Sequence, residues 1–343
     1  MNDIAGKPIS DTRAWRGAEL SRGDWVTRLS SDQIGALYET ANTLSDDSSK
    51  WLDFDSAQIT DETLSNLFAV AGNELLTGRG FVLFRGLDAH DTERLRRVFW
   101  ILGKGLGKPV MQNAKGEVLS IVADRFAGAE RGVDTRGYES NDELRFHCDG
   151  GDCIGMSCIR QAREGGKNGL VSLYALYNEI LHQHPQHLDA LQQGFPLYSR
   201  KEQGDAASTE KLGKVQPTRI PVFAWQDGAM STWLNIQLAE LAAQMSGQAY
   251  NDAEREALEC IERLANDPDL QLTFKQQPGD VIFINNLAVM HRREKYHDTS
   301  DPTQNRALYR MWINLHQQRS VVPQHAALRK GIRGPQPLIA AAV

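Results

Sequence analysis

Cysteine is scarce in this chain: 343 residues carry four, Cys148, Cys153, Cys158 and Cys260. The first three are spaced by five, which matches no CxxC zinc pattern. Isolated thiols of this kind behave as small core hydrophobes, so reduced, buried cysteines are expected. No apolar run approaches the roughly 18 residues of a membrane span. The opening MNDIAGKPISDTRAW has neither a basic nor an apolar stretch, so no secretory leader is expected. These gaps predict a cytoplasmic protein with no membrane partner. Positive charge is also short, with 38 Lys and Arg against 44 Asp and Glu, a net charge of -6 and no block of five like charges. Nucleic-acid affinity comes largely from phosphate neutralisation by a basic stripe. The composition argues against that partner.

Repeats and low-complexity linkers are missing too, while 41% hydrophobic and 24% charged residues are ordinary for a globular protein. One domain over 1–343 is therefore expected, mostly helical over 1–115, β-rich with inserted helices over 116–316, and ending in a tail over 317–343. Ser31-Asp32 predicts a helix start running to about Asn42, Thr60-Asp61-Glu62 opens another, and 91–102 returns to helical spacing. Short apolar or alternating runs then recur at 81–84, 119–122, 144–148, 154–159, 170–173, 219–224, 231–236, 270–274, 281–284 and 307–314. Helical patterns interrupt them at 177–192 and 252–266. Many short strands between turns predict a sandwich or barrel, mainly β with flanking helices. The glycine-rich segment 103–109 reads as a helix end and turn. The polar stretches 125–142 and 200–216 read as long loops.

Chemistry concentrates in three places. In Glu143-Leu-Arg-Phe-His147-Cys148-Asp149, alternation puts His147 and Asp149 on one face of a strand. The two residues can converge on one metal ion. Pro278-Gly279-Asp280 turns into the apolar run 281–284, Asn285-Asn286 breaks it, and His291 follows. Two histidines and one carboxylate form the facial triad of non-haem iron oxygenases. Farther on, Arg306 and Arg310 are four apart on an expected strand and so share a face. A guanidinium fork there suits a dicarboxylate. The run His182-Gln-His184-Pro-Gln-His187 reads as a solvated turn because Pro185 interrupts it. Asp152 stays open between a pocket role and a turn.

Together, His147-x-Asp149, PGD-strand-NN-x-x-x-x-His291 and Arg306-x-x-x-Arg310 resemble the Fe(II)/2-oxoglutarate dioxygenases of the TauD/TfdA group. That group includes taurine dioxygenase and clavaminate synthase-like enzymes. The resemblance spans about residues 60 to 316 and implies a double-stranded β-helix, or jelly roll. It implies His147, Asp149 and His291 as Fe(II) ligands and Arg306 on the distal carboxylate of 2-oxoglutarate, with O2 as the oxidant. A hydroxyl residue often follows Gly-Gly in that family. Here Asn168 stands in its place after Gly165-Gly166, with Ser172 the next candidate for binding the cosubstrate. Arg310 sits where relatives hold substrate, so a substrate carboxylate or a structural ion pair are its two readings.

The implied activity is oxidation, foremost hydroxylation, of an unactivated C–H in a small carboxylate- or amino-acid-like substrate, releasing succinate and CO2. Retention of Asp149 argues against halogenation, in which Gly or Ala replaces the carboxylate. Desaturation, cyclisation, a cosubstrate-free cupin and a non-catalytic sensor are the alternatives, and homo-oligomerisation stays open. The loop 125–142 buries little apolar surface, so it is expected either to close over substrate or to serve as scaffold.

Overall fold

Successive strand residues point to opposite faces, so a strand that is apolar throughout needs a core on each side. Phe81–Arg85 and Val281–Asn285 are of this kind, buried along nearly their whole length, and they pair antiparallel. A computed structural model, which describes residues 6–126, 137–199, 214–216, 218–332 and 336–341, builds a large sheet around them. Its order is Val26–Arg28, Phe81–Arg85, Val281–Asn285, Cys153–Arg160, Ala307–Leu315, Glu117–Val122, Leu338–Ile339, with Gly107–Val110 also paired to Ala307–Leu315. A second sheet has the order Gln271–Phe274, Asn168–Ser172, Val289–Arg293, Leu144–His147.

Alternation sorts the side chains of the large sheet into two cores. Leu83, Ile154, Ile282 and Trp312 pack with Phe146, Leu170 and Val289 of the smaller sheet. Val82, Phe84, Phe283 and Met311 face the other way, onto the helices Ser31–Asn42, Glu62–Leu76 and Thr92–Leu106. Full burial of such side chains contributes roughly 1.5–3 kcal/mol each. The same alternation turns Arg310 and Trp312 inward, toward the smaller sheet.

The corner between the sheets is fixed by side-chain amides and one ion pair. Asp280 of the Pro-Gly-Asp turn receives Arg85 Nε and Nη2 at 2.8 and 2.6 Å. Asn285 donates to Leu75 O at 2.8 Å, which anchors the chain to a helix just before it crosses to the strand bearing His291.

Several expectations need correction. Segment 103–109 holds the expected helix end, at Leu106, but no turn: the helix Thr92–Leu106 runs through Gly103 and Gly105 directly into the strand Gly107–Val110. A side-chain carbon at Gly103 would collide with Met311 Sδ, and one at Gly105 with the Phe68 ring, so these glycines let the helix lie close to its neighbours. The run 231–236 ends as strand at Thr232, because Asn235 caps an unexpected helix, Ile236–Ser246, by accepting from Leu238 N. Within 219–224 only Phe223 and Ala224 are strand, while Ile220 makes a single bridge to Phe195. The helix Ser31–Asn42 is capped by Ser30, in a reciprocal pair with Gln33, not by Ser31-Asp32. His187 is buried rather than solvated. Residues 127–136 and 200–213 lie outside the described residues, so most of both long-loop expectations falls there. The four cysteines are buried and free, and no described helix is long and apolar enough to cross a membrane.

Candidate metal centre

His147 ends the strand Leu144–His147 and lies directly opposite His291 in the antiparallel register, with ring centroids 4.3 Å apart. His147 Nδ1 lies 2.8 Å from Arg145 O. A carbonyl only accepts, so Nδ1 carries a proton and Nε2 is the ring nitrogen left to face a metal. Asp149 Oδ1 is 3.9 Å from His147 Nε2, and Asp149 Oδ2 is 3.9 Å from His291 Nε2. One potential ligand atom from each of the three lies within 4.8 Å of the others. The 3.9 Å pairs fall inside the roughly 4.2 Å spanned by two metal–ligand bonds of about 2.1 Å.

Asp149 is held from several sides. Trp312 Nε1 donates to Oδ2 at 3.1 Å and Trp233 Nε1 donates to the backbone carbonyl at 2.9 Å. Asn286 Oδ1 accepts from Asp149 N at 3.1 Å, and its amide donates to Gly150 O at 3.1 Å. Burial pushes the Asp149 carboxyl up, but His147, Arg310, His291 and the Trp312 hydrogen bond outweigh it and hold the group below its ordinary range. His291 is pushed down to about 3 by burial, His147 and Arg310, against the pull of Asp149, so its ring is neutral at physiological pH. Asn286, Trp233 and Trp312 were not singled out from the sequence for this holding role. Only the Asn-Asn strand break drew attention, because contacts this distant in sequence leave no local pattern.

A cavity of about 260 Å³ opens on the triad, lined among others by Val122, Ile154, Met156, Asn168, Arg306 and Arg310. Arg306 is 2% exposed, with Nε and Nη1 unpartnered, and burial lowers its pKa. Arg310 Nε donates to Gln112 Oε1 at 2.6 Å, its guanidinium carbon is 3.9 Å from the Tyr138 ring centre, and Nη1 is 3.9 Å from Asp149 Oδ2. Its buried Nη2 has no partner. Asn168 Nδ2 donates to Gln276 Oε1 at 3.3 Å at the cavity wall. Ser172 is not brought to the site. Its hydroxyl caps the helix Leu173–Gln183 by accepting from Ala175 N, and donates to Arg13 O. Asp152 is likewise structural, paired to Arg329 at 2.6 Å and accepting from Leu315 N at 3.1 Å.

Two sheets that bring two histidines, a carboxylate and inward arginines to one cavity have the build of a mononuclear non-haem iron oxygenase. The chain belongs to the taurine catabolism dioxygenase TauD, TfdA family, whose model matches residues 48–312. Over 339 residues it is 25% identical to FR-33289 synthase of Streptomyces rubellomurinus, with 97% of this chain and 98% of that protein covered. It is similar in structure to asparagine oxygenase in complex with Fe(II), 2S,3S-3-hydroxyasparagine and succinate. That match has a TM-score of 0.65 at 15% identity, covering 84% of this chain and 93% of that one. The non-heme iron oxygenase OrfP in complex with Fe and alpha-ketoglutaric acid matches with a TM-score of 0.59 at 14% identity, over 84% and 94%. These neighbours share the double-stranded β-helix fold.

Proposed function

We propose that this dioxygenase uses Fe(II) and 2-oxoglutarate to hydroxylate an unactivated C–H bond of a small substrate bearing a carboxylate, as in an amino acid or related acid. The balance is 2-oxoglutarate, O2 and R–H giving succinate, CO2 and R–OH. The observation that carries this reading is the convergence of His147, Asp149 and His291 within 4.8 Å, in a cavity that also receives Arg306 and Arg310. Support also comes from asparagine oxygenase, whose complex holds a hydroxylated amino acid beside succinate.

The residues present fit the implied groups. One imidazole from each histidine and a carboxylate suit Fe(II) and leave positions open. The unpartnered, buried Nε and Nη1 of Arg306 suit a carboxylate, which a guanidinium binds bidentately. Bound together, Fe(II) and 2-oxoglutarate supply the oxidising power for C–H cleavage. Asp149, fixed by Trp312, contributes the anionic ligand, and Arg306 holds the distal cosubstrate carboxylate with Asn168 beside it. Arg310, braced by Gln112 and Tyr138, offers Nη2 to the substrate carboxylate. Val122, Ile154, Met156 and Phe146 give the cavity an apolar wall beside these charged groups.

The test is a screen of amino acids and small acids for substrate-stimulated succinate release by the Fe(II)-loaded enzyme. Stimulation by a compound with a carboxylate is expected, together with a product heavier by one oxygen. Stimulation only by compounds without an acidic group would overturn the assignment of Arg310.

A further inference from the structure

The family match ends at residue 312, but the wall of the cavity does not. Ile332, beyond that match, lines the same cavity as His147, Asp149 and His291. It is partly buried against the core between the two sheets, and its backbone N donates to Met111 O at 2.8 Å. The approach is close because the residue before it is glycine. Gly331 adopts φ +63°, and a side-chain carbon there would sit 2.5 Å from Met111 O.

The segment that delivers Ile332 is fastened on two sides. Its helix, Pro323–Leu328, carries His325, which is 0% exposed. His325 Nε2 lies 2.8 Å from Pro221 O, and Nδ1 lies 2.8 Å from Ser231 Oγ. Burial and Arg329 push this ring down to about 4, against the pull of Pro221 O, so it is neutral at physiological pH. Nε2 therefore donates to the carbonyl, and Nδ1 accepts from the hydroxyl. Ser231 belongs to the strand Ala229–Thr232, and the next residue, Trp233, holds the backbone carbonyl of Asp149. On the other side, Leu328 O accepts from Gly151 N at 3.0 Å, and Arg329 Nε donates to Asp152 Oδ1 at 2.6 Å. Asn314 Nδ2 donates to Arg329 O at 2.8 Å.

A buried ion pair adds little net stability, because desolvation offsets the attraction, and its best-attested use is to fix one register over others. The Arg329–Asp152 pair and the buried His325 fix the register that puts Ile332 at the cavity. We infer that Ile332 is a specificity-determining residue, whose side chain limits how long a chain the substrate carries beyond its carboxylate. The inference rests on the proposed function and adds to it a residue outside the family match.

Anaerobic calorimetry tests it, on the protein loaded with Fe(II) and saturating 2-oxoglutarate and titrated with straight-chain monocarboxylates and 2-amino acids of increasing length. One methylene too many or too few in an apolar pocket is worth about tenfold or more. Ile332→Ala is expected to bind the first acid that is too long for the parent about tenfold or more tighter. Ile332→Phe is expected to weaken the longest acid the parent accepts by a similar factor and to leave the shortest unchanged. The same length profile in all three proteins would overturn the inference, as would equal losses at every length, which would mark a structural role. Should none of these acids bind the parent, the carboxylate in the proposed function fails, and crystal structures of parent and Ile332→Ala with a divalent metal and 2-oxoglutarate decide the inference. Enlargement of the metal-bearing cavity at position 332 supports it, and an Ile332 side chain turned out of that cavity refutes it.

Discussion

The two ends of the cavity are built differently. At the metal end, His147 Nδ1 and the backbone N, backbone O and Oδ2 of Asp149 all have protein partners, with His291 Nδ1 the exception. At the arginine end, Arg306 Nε and Nη1 and Arg310 Nη2 are buried without one. A buried polar group left unpaired costs about 1–3 kcal/mol, and burial already lowers the Arg306 pKa. On the proposed function the metal end is thus assembled by the fold alone, and the arginine end is completed by anionic ligands. Pre-set ligand geometry belongs where bond directions matter. Spare donors belong where a carboxylate enters and leaves.

The largest effect comes from breaking the assembled end. Asp149→Ala deletes the proposed anionic ligand, so its loss of metal affinity should exceed the roughly 10- to 100-fold seen on removing an outer partner of a metal ligand. Succinate release should fall to background. Full turnover in this variant would contradict the role assigned to Asp149. A smaller effect comes from the ligand-completed end. Arg306→Lys keeps the charge but loses the planar fork, so 2-oxoglutarate affinity should drop by about 10- to 150-fold while Fe(II) affinity stays near that of the parent. If both affinities fell together, the two ends would be one structural unit and the contrast between them would fail.

The same contrast explains what the sequence made legible. Strand alternation is local, so the run 281–284 could be read directly from spacing, whereas Asp149 lies beyond the strand that ends at His147 and Arg306 precedes the strand that carries Arg310, with a register shift after Ala307. The residues that hold Asp149 could not, because Asn286, in the turn after Val281–Asn285, and Trp312, in the strand Ala307–Leu315, are more than a hundred positions away. Helix Ile236–Ser246 was hidden because its start continues an apolar run, and only the Asn235 cap, not hydropathy, marks the change. The 103–109 segment misled for a related reason. Glycine there serves close packing against Met311 and Phe68, a tertiary demand that resembles a turn signal in one dimension. Ser172 carries a hydroxyl at a plausible spacing, but that hydroxyl is spent on a helix cap.

The most direct test of the central claim, that these residues hold Fe(II) and 2-oxoglutarate together, is a titration of the apoprotein with Fe(II) and then 2-oxoglutarate under argon, followed by visible absorption. A weak charge-transfer band that appears only when both are present, saturates at one equivalent of each and is lost in Asp149→Ala is the predicted result. No band from a parent protein whose circular dichroism shows an intact fold would contradict the account.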